Sequence, residues 1–149
     1  RGWSDSAFHP FEELSGPRLE QFKCGHPLWL LQNWREVFDS AAIVQTGEVD
    51  GEKVFVLKLS AKGIPTHTLH VSAESGLVLR EETVAIAPGV GRLPLTYTYT
   101  DYRAVDGVML PFKIVAKTLQ SGEIVTQFES ATSLGELNDD EFRLTTPSD

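Results

Sequence analysis

Two Asp-Gly pairs constrain this fold more than any other feature of the sequence. Asp50-Gly51 and Asp106-Gly107 each separate two runs in which apolar and polar residues alternate. Such a pair between alternating runs is the strongest short-range hairpin signal, because the tight two-residue turn needs a positive φ at both positions. The segment TYTYTDYRAVDGVMLPF (96–112) is therefore predicted to be a hairpin.

The two turns also predict which residues face each other. A two-residue turn at each Asp-Gly pair places Glu48 opposite Lys53 and Tyr99 opposite Ile114. The tyrosines and aliphatic residues then share one face of the second hairpin, and its threonines and lysines share the other. A three-residue loop at 120–122 would continue the apolar face by placing Phe128 opposite Ile114.

The remaining strand patterns predict a mainly β domain. Seven alternating segments lie between residues 41 and 134, and all are joined by short connections. Short connections require antiparallel neighbours, since a parallel pair needs a long crossover. Before them, Pro17 and Pro27 open two predicted helices, and Gly25 ends the first. These two short helices are the available cover for the apolar face of the sheet.

Composition limits the classes of function. The 149 residues suffice for one domain with a real core. A net charge of −8 argues against binding to nucleic acid and to anionic membranes. A single cysteine excludes an internal disulfide, and no apolar run is long enough for a transmembrane segment. The chain starts at Arg1 and shows no signal peptide, so we expect it to be processed or cut from a longer protein.

The histidines and acids do not form a predicted catalytic or metal site. His67 and His70 lie three residues apart on a predicted strand, so they point to opposite faces and cannot chelate one ion. We therefore expect two half-exposed structural histidines. Glu81 and Glu82 are adjacent and also face opposite ways, and we expect both them and the acids at 139–141 to be solvated surface.

No nucleophile is predicted either. Cys24 precedes His26 closely, but it lies near the C-terminus of a predicted helix, where the helix dipole disfavours a thiolate. A buried structural cysteine is the better interpretation. The sequence contains no phosphate-binding glycine loop and no hydrolase or zinc-protease motif. We therefore predict a non-enzymatic protein with no cofactor and no metal ion.

What remains is an apolar surface that must be covered. Two short helices cannot easily fill a curved seven-stranded sheet, so a hydrophobic ligand cavity and an ordinary filled core are both open. The residues predicted to line a cavity belong to the sheet and to the second helix: Phe55, Leu57, Leu95, Tyr97, Tyr99, Phe112, Ile114, Trp29 and Trp34.

Several phrases resemble the LolA-like superfamily of bacterial periplasmic lipoprotein carriers and lipoprotein-sorting proteins. They are DGEKVFVLKLSAKGIPTHTLHVSAESGLVLREE (50–82), TDYRAVDGVMLPFKI (100–114), NDDEF (138–142) and GWSD (2–5). The resemblance implies an open antiparallel half-barrel with helices over a concave hydrophobic cavity for acyl chains. It also implies a periplasmic or other extracytoplasmic location.

The resemblance sets the expected domain organisation. It implies one LolA-like domain over 1–149 that lacks the family's N-terminal helix and first strands. Its parts would be a helical lid segment (1–40), the sheet (41–134) and an acidic tail (135–149). The predicted partner is a hydrophobic small molecule or a lipoprotein acyl chain. The alternative is a non-catalytic structural or interaction module of a larger envelope or secreted protein, in contact with other parts of that chain or with an envelope protein.

Overall fold

The computed structural model describes residues 2–6, 9–24, 27–87, 91–119 and 122–132. Two short strands and two helices come first, followed by seven longer strands. The elements are β1 (Gly2–Ser6), β2 (His9–Leu14), α1 (Gly16–Cys24), α2 (Pro27–Val37), β3 (Ser40–Val49), β4 (Glu52–Ala61), β5 (Ile64–Ser72), β6 (Val78–Ala87), β7 (Gly91–Val105), β8 (Val108–Thr118) and β9 (Gly122–Gln127).

Strands β3 to β9 form one seven-stranded antiparallel sheet in sequence order. This arrangement confirms the prediction of a mainly β, antiparallel, open sheet built from short connections. β3 and β9 are its edges within the described ranges. The helices begin and end where the prolines and Gly25 indicated, with α1 ending at Cys24 and α2 beginning at Pro27.

A separate hairpin precedes the helices, within the segment 1–40 that the sequence assigns to the helical lid. β1 pairs antiparallel with β2, and Trp3 lies opposite Glu13. Ala7 and Phe8 stand between the two strands in the sequence, and neither residue favours a tight turn. The hairpin therefore has no turn signal of the Asp-Gly type that revealed the later ones.

Both Asp-Gly pairs adopt the predicted turn. Asp50 and Gly51 have φ values of 49° and 85°, and Asp106 and Gly107 have φ values of 48° and 83°. A positive φ at both central residues matches the right-handed twist of the flanking strands. The predicted pairings of Glu48 with Lys53 and of Tyr99 with Ile114 are confirmed.

The last hairpin differs from its predicted register by two residues. Ile124 lies opposite Ala116, and the Phe128 backbone N–H bonds to the Phe112 carbonyl, so Phe128 faces Phe112 and not Ile114. A shift of two residues leaves each side chain on its predicted face, because the side-chain period of a strand is two. Gly122 has the expected left-handed backbone, with φ of 71°.

The sheet has two different faces. The inner face carries Leu57, Leu59, Leu69 and Tyr99, which belong to the main hydrophobic cluster. The outer face carries a smaller cluster of Val49, Val54 and Val56, with Leu79 packed against it. The inner face is therefore the larger apolar surface, and it positions the candidate site.

Candidate functional site

Helix α2 lies against the middle of the inner face. Leu30 is 1% exposed, and it is buried in one cluster with Val37 and the sheet residues Leu59, Leu69 and Tyr99. The helix exit is fixed to the sheet, because the Asp39 backbone N–H donates to the Ser60 carbonyl at 3.0 Å. Complete burial of a leucine side chain contributes about 1.5–3 kcal/mol. The centre of the inner face is thus a filled core.

Helix α1 differs from α2. Its Phe22 is 60% exposed, so this large apolar side chain does not cover the sheet. That both helices cover the apolar face of the sheet therefore stays a prediction.

The predicted cavity residues fall into several groups. Five of them pack in the main cluster: Leu57, Tyr97, Tyr99, Ile114 and Trp34. Leu95 is half-buried, and Phe55 is 40% exposed beside the cluster residue Leu57 on the inner face. Phe112 is buried outside this cluster, with the Arg103 guanidinium 4.4 Å from its ring centroid. The side chain of Trp29 lies outside the described residues.

The pairing of β7 is irregular beside Phe112. Asp101, which the regular register would place opposite Phe112, has a φ of 54° and drops out of the pairing. Its carboxylate accepts two hydrogen bonds from Arg103, at 2.6 and 3.0 Å, and one from Gln127 at 3.3 Å. These bonds lower the pKa of Asp101 below its ordinary value, chiefly through the bonds from Arg103.

Apolar residues continue on the inner face beyond the helix, toward both edges. Ile43 pairs with Leu57 and is exposed, as is Phe55 on the next strand. On the other flank, Ile124 pairs with Ala116 and is 58% exposed, and Phe128 is also exposed. The inner face is therefore closed at its centre and open on both flanks.

A polar triad lies buried within this apolar face. His67 is 5% exposed and Glu81 is 3% exposed, and the imidazole Nδ1 lies 2.5 Å from Glu81 Oε1. The Tyr99 hydroxyl donates to the other carboxylate oxygen, Oε2, at 2.7 Å. The Phe38 ring covers the imidazole edge-on, with 5.2 Å between the ring centroids. Both oxygens of a buried carboxylate are thus satisfied, as burial of a charge requires.

The triad overturns two expectations. His67 is not half-exposed, and Glu81 is not solvated surface. The opposite-face argument was correct, because His70 and Glu82 lie on the outer face, 3.6 Å apart. The same argument could have predicted a buried polar residue. Two adjacent residues on a strand face opposite ways, so on a strand with one buried face one of them must be buried.

The environment of the tyrosines follows from the triad. Burial raises the pKa of Tyr99 far above its ordinary value, and the Glu81 carboxylate raises it further. The pKa of Tyr97, which stacks on Tyr99 with 6.2 Å between centroids, is raised by the same two causes. Burial raises the pKa of Tyr102 to about 12. All three rings are therefore held neutral in the folded protein.

Comparison with known proteins identifies the architecture. No family model and no curated protein matches the chain. A crystal structure of a LolA superfamily protein from Nitrosomonas europaea matches with a TM-score of 0.55 and 22% identity, over 70% of this chain and 49% of that chain.

The chain has a LolA-like fold. It spans about half the length of the Nitrosomonas protein.

The sheet also has an open cleft away from α2. The cleft has a volume of about 1020 Å³ and lies at the end of the sheet near the Asp50-Gly51 turn. Its lining includes the acids Glu52, Glu74 and Asp101 and, of the predicted cavity residues, only Tyr99. The described part of the chain contains no cluster of side chains that could hold a metal ion.

None of the described helices is both long enough and apolar enough to cross a bilayer.

Proposed function

We propose that this protein binds a hydrophobic ligand, a lipid or the acyl chains of a lipoprotein, between the inner face of the sheet and its helices. The observation that carries this proposal is the extent of the apolar face. α2 covers its centre, whereas Ile43 and Phe55 on one flank and Ile124 and Phe128 on the other are exposed. Exposed apolar surface that continues a buried face is typical of a site for an apolar partner.

The ligand would lie along this face on the residues that the sequence indicated. Leu57, Tyr97 and Ile114 are half-buried at the border between the covered centre and the open flanks. A chain that extends from a flank toward them would gain about 0.8 kcal/mol for each buried methylene. Movement of α2, which carries Trp29 and Trp34, would enlarge the site. The remaining residues of the proposed lining are Leu95, Tyr99 and Phe112.

The wider biological setting is part of the same proposal. The LolA-like fold supports a non-catalytic binding role, an extracytoplasmic and periplasmic location, and transport or sorting of lipoproteins. The organisation stays as the sequence suggested, a single LolA-like domain over 1–149. The acidic tail lies outside the described residues.

The direct test is identification of the ligand that purifies with the protein. Native mass spectrometry and organic extraction of protein made in a bacterial periplasm should reveal a bound lipid. Ile124→Glu, on the inner face, should reduce the bound fraction. Val125→Glu is the matched control, because Val125 is the next residue of β9, is 57% exposed and faces outward. Protein without lipid that also fails to bind a fluorescent fatty acid would overturn the proposal.

A second function, as an interaction module, is favoured by the edge strand β9. Every residue of Gly122–Gln127 is exposed, and β9 pairs only with β8 among the described strands. An unpaired edge with apolar residues can accept a strand from another protein or from another part of a larger chain. Hydrogen exchange at the β9 amides should then slow when that partner binds, and unchanged exchange would exclude strand addition there.

A further inference from the structure

The triad fixes the orientation of the His67 ring. The Glu81 carboxylate accepts a hydrogen bond from the Tyr99 hydroxyl on Oε2 and faces His67 Nδ1 with Oε1. Because an ionised carboxylate can only accept, Nδ1 carries the proton of this second bond. A carboxylate on one ring nitrogen sets the tautomer of the neutral imidazole and leaves the lone pair on the other nitrogen. In the neutral ring, His67 Nε2 is therefore a hydrogen-bond acceptor.

This acceptor is unused within the described ranges. His67 Nε2 has no hydrogen-bond donor there, although Nδ1 has a short bond. The His67 side chain as a whole keeps 7% of its surface accessible. An oriented imidazole with one open nitrogen is the arrangement by which proteins present a single, directed polar group.

The surroundings of this group are apolar. The Phe38 ring packs edge-on against the imidazole, Leu59 lies opposite His67 on β4, and Leu69 is the next residue on the same face of β5. All three belong to the main hydrophobic cluster. Replacement of both partners of a buried hydrogen bond by apolar groups of the same shape is often nearly neutral for stability. Stability of the core therefore gives no reason for a histidine and a glutamate at these two positions, whereas a ligand with one polar group does.

We propose that His67 Nε2 accepts a hydrogen bond from the polar end of the bound ligand. This inference rests on the function proposed above, and it defines the ligand more narrowly. The ligand is an alkyl or acyl chain that ends in a hydrogen-bond donor, either a hydroxyl group or an amide N–H. Glu81 acts as a positioning residue, since it holds the imidazole ring. The Tyr99 hydroxyl in turn holds Glu81, while the Tyr99 ring belongs to the proposed lining.

Access to the nitrogen runs past Phe38. This residue follows α2 directly, and its backbone N–H bonds to the Trp34 carbonyl at 2.8 Å, so its backbone is held to the last turn of the helix. A ligand that enters from a flank would place its chain on the apolar face and turn the Phe38 ring aside, while the Asp39–Ser60 bond keeps the helix exit in place. Its polar end would then replace the Phe38 ring at His67.

The test compares ligands that differ only in the donor. Dodecanol and dodecyl methyl ether have matching apolar chains, but only the alcohol can donate. An N-dodecanoyl peptide and its N-methylated form make the same comparison for an acylated protein. Displacement of a fluorescent fatty acid measures each affinity, and the imidazole nitrogen resonances of the wild-type protein report the hydrogen bond directly.

We expect the donor ligand of at least one pair to bind about tenfold more tightly than its blocked partner. His67→Phe should remove that preference, and His70→Phe should keep it, because His70 lies on the outer face. The His67 nitrogen resonance should shift with the donor ligand only. A preference in the alcohol pair supports a free lipid as the source, and a preference in the peptide pair supports an acylated protein.

Two outcomes contradict the inference and are distinguishable. If both members of each pair bind equally well and the His67 resonance does not move, the polar contact is absent, but the hydrophobic site stands. If no ligand of either pair binds, the proposed function fails together with the inference. The wild-type measurements decide between these outcomes even if His67→Phe does not fold.

Discussion

The Tyr99 hydroxyl donates a 2.7 Å hydrogen bond to Glu81 in the middle of an otherwise apolar sheet face. The same carboxylate lies 2.5 Å from the His67 imidazole, so three polar side chains from three neighbouring strands satisfy one another. A buried network of this kind stabilises the fold only while every member is present, because removal of one leaves the others unpaired in an apolar environment.

Glu81→Ala should therefore be strongly destabilising. It leaves both the imidazole and the Tyr99 hydroxyl without an acceptor, and loss of one member of a buried pair typically lowers the free energy of unfolding by about 3–5 kcal/mol. Urea denaturation measures the change. Glu82→Ala is the control, because its side chain is half-exposed on the outer face and should alter stability by less than about 1 kcal/mol. Equal effects of the two substitutions would show that the triad does not contribute.

The three tyrosines of the chain should not ionise at their ordinary pKa of 10.0 while the protein is folded. The folded-state pKa is raised, so their contribution to stability is complete below pH 10 and is lost as the pH rises from 10.0 through the folded-state values. For Tyr102 this range ends at about 12. The cause is that the unfolded chain releases these protons and the folded chain retains them.

Absorbance of tyrosinate near the red edge of the tryptophan band measures this titration. Its rise should be delayed beyond pH 10 and should coincide with loss of the circular dichroism signal. Tyr99→Phe should weaken the alkaline destabilisation, which is about 1.4 kcal/mol per pH unit for one fully protected group. A reversible titration of all three rings at pH 10 in the folded protein would contradict this account.

Leu30→Ala should test whether α2 is part of the core. Leu30 is almost completely buried between the helix and the sheet, and such truncations cost about 2–5 kcal/mol. Phe22→Ala on α1 removes a larger but mostly exposed side chain and should cost much less. If thermal denaturation finds the Phe22 variant to be as unstable as the Leu30 variant, the assignment of the cover to α2 is wrong.

A side chain at the glycine of the second Asp-Gly turn should lower the free energy of unfolding. Gly107 has a φ of 83°, and Gly107→Ala should cost about 1–2 kcal/mol through backbone strain, although a Cβ there would meet no other atom. Gly47→Ala is the matched strand control, because its φ is not positive and its Cβ would make ordinary contacts with Val54 and Val56. Denaturant midpoints should therefore fall for the Gly107 variant and not for the Gly47 variant.

Much of the sheet could be predicted from the sequence, because its strongest signals are local. A turn such as Asp106-Gly107 sets the register of its two strands, and strand periodicity then assigns Tyr99 and Ile114 to the same face. The Gln120–Gly122 loop lacks such a pair, and its register was predicted two residues from the observed one. Asp101 was also missed, since nothing in a regular alternation indicates a left-handed residue within a strand.

The triad could not be predicted in the same way, because it joins three strands. Its assembly depends on the β5–β6 and β6–β7 registers, which place Leu69 and Tyr97 opposite Glu81. The turns between these strands contain no Asp-Gly pair, so their registers are not set locally. Residues 81 and 82 are both glutamates, so the residue type does not show which of the two is buried.

The most direct test of the central claim uses a fatty acid that carries a spin label near the end of its chain. When it binds, the methyl resonances of Leu57, Ile114 and Ile124 on the inner face should broaden. Those of Val56 and Val125 on the outer face should broaden less in the same spectrum. Equal broadening on both faces, or none on either, would contradict a lipid site on the inner face of this sheet.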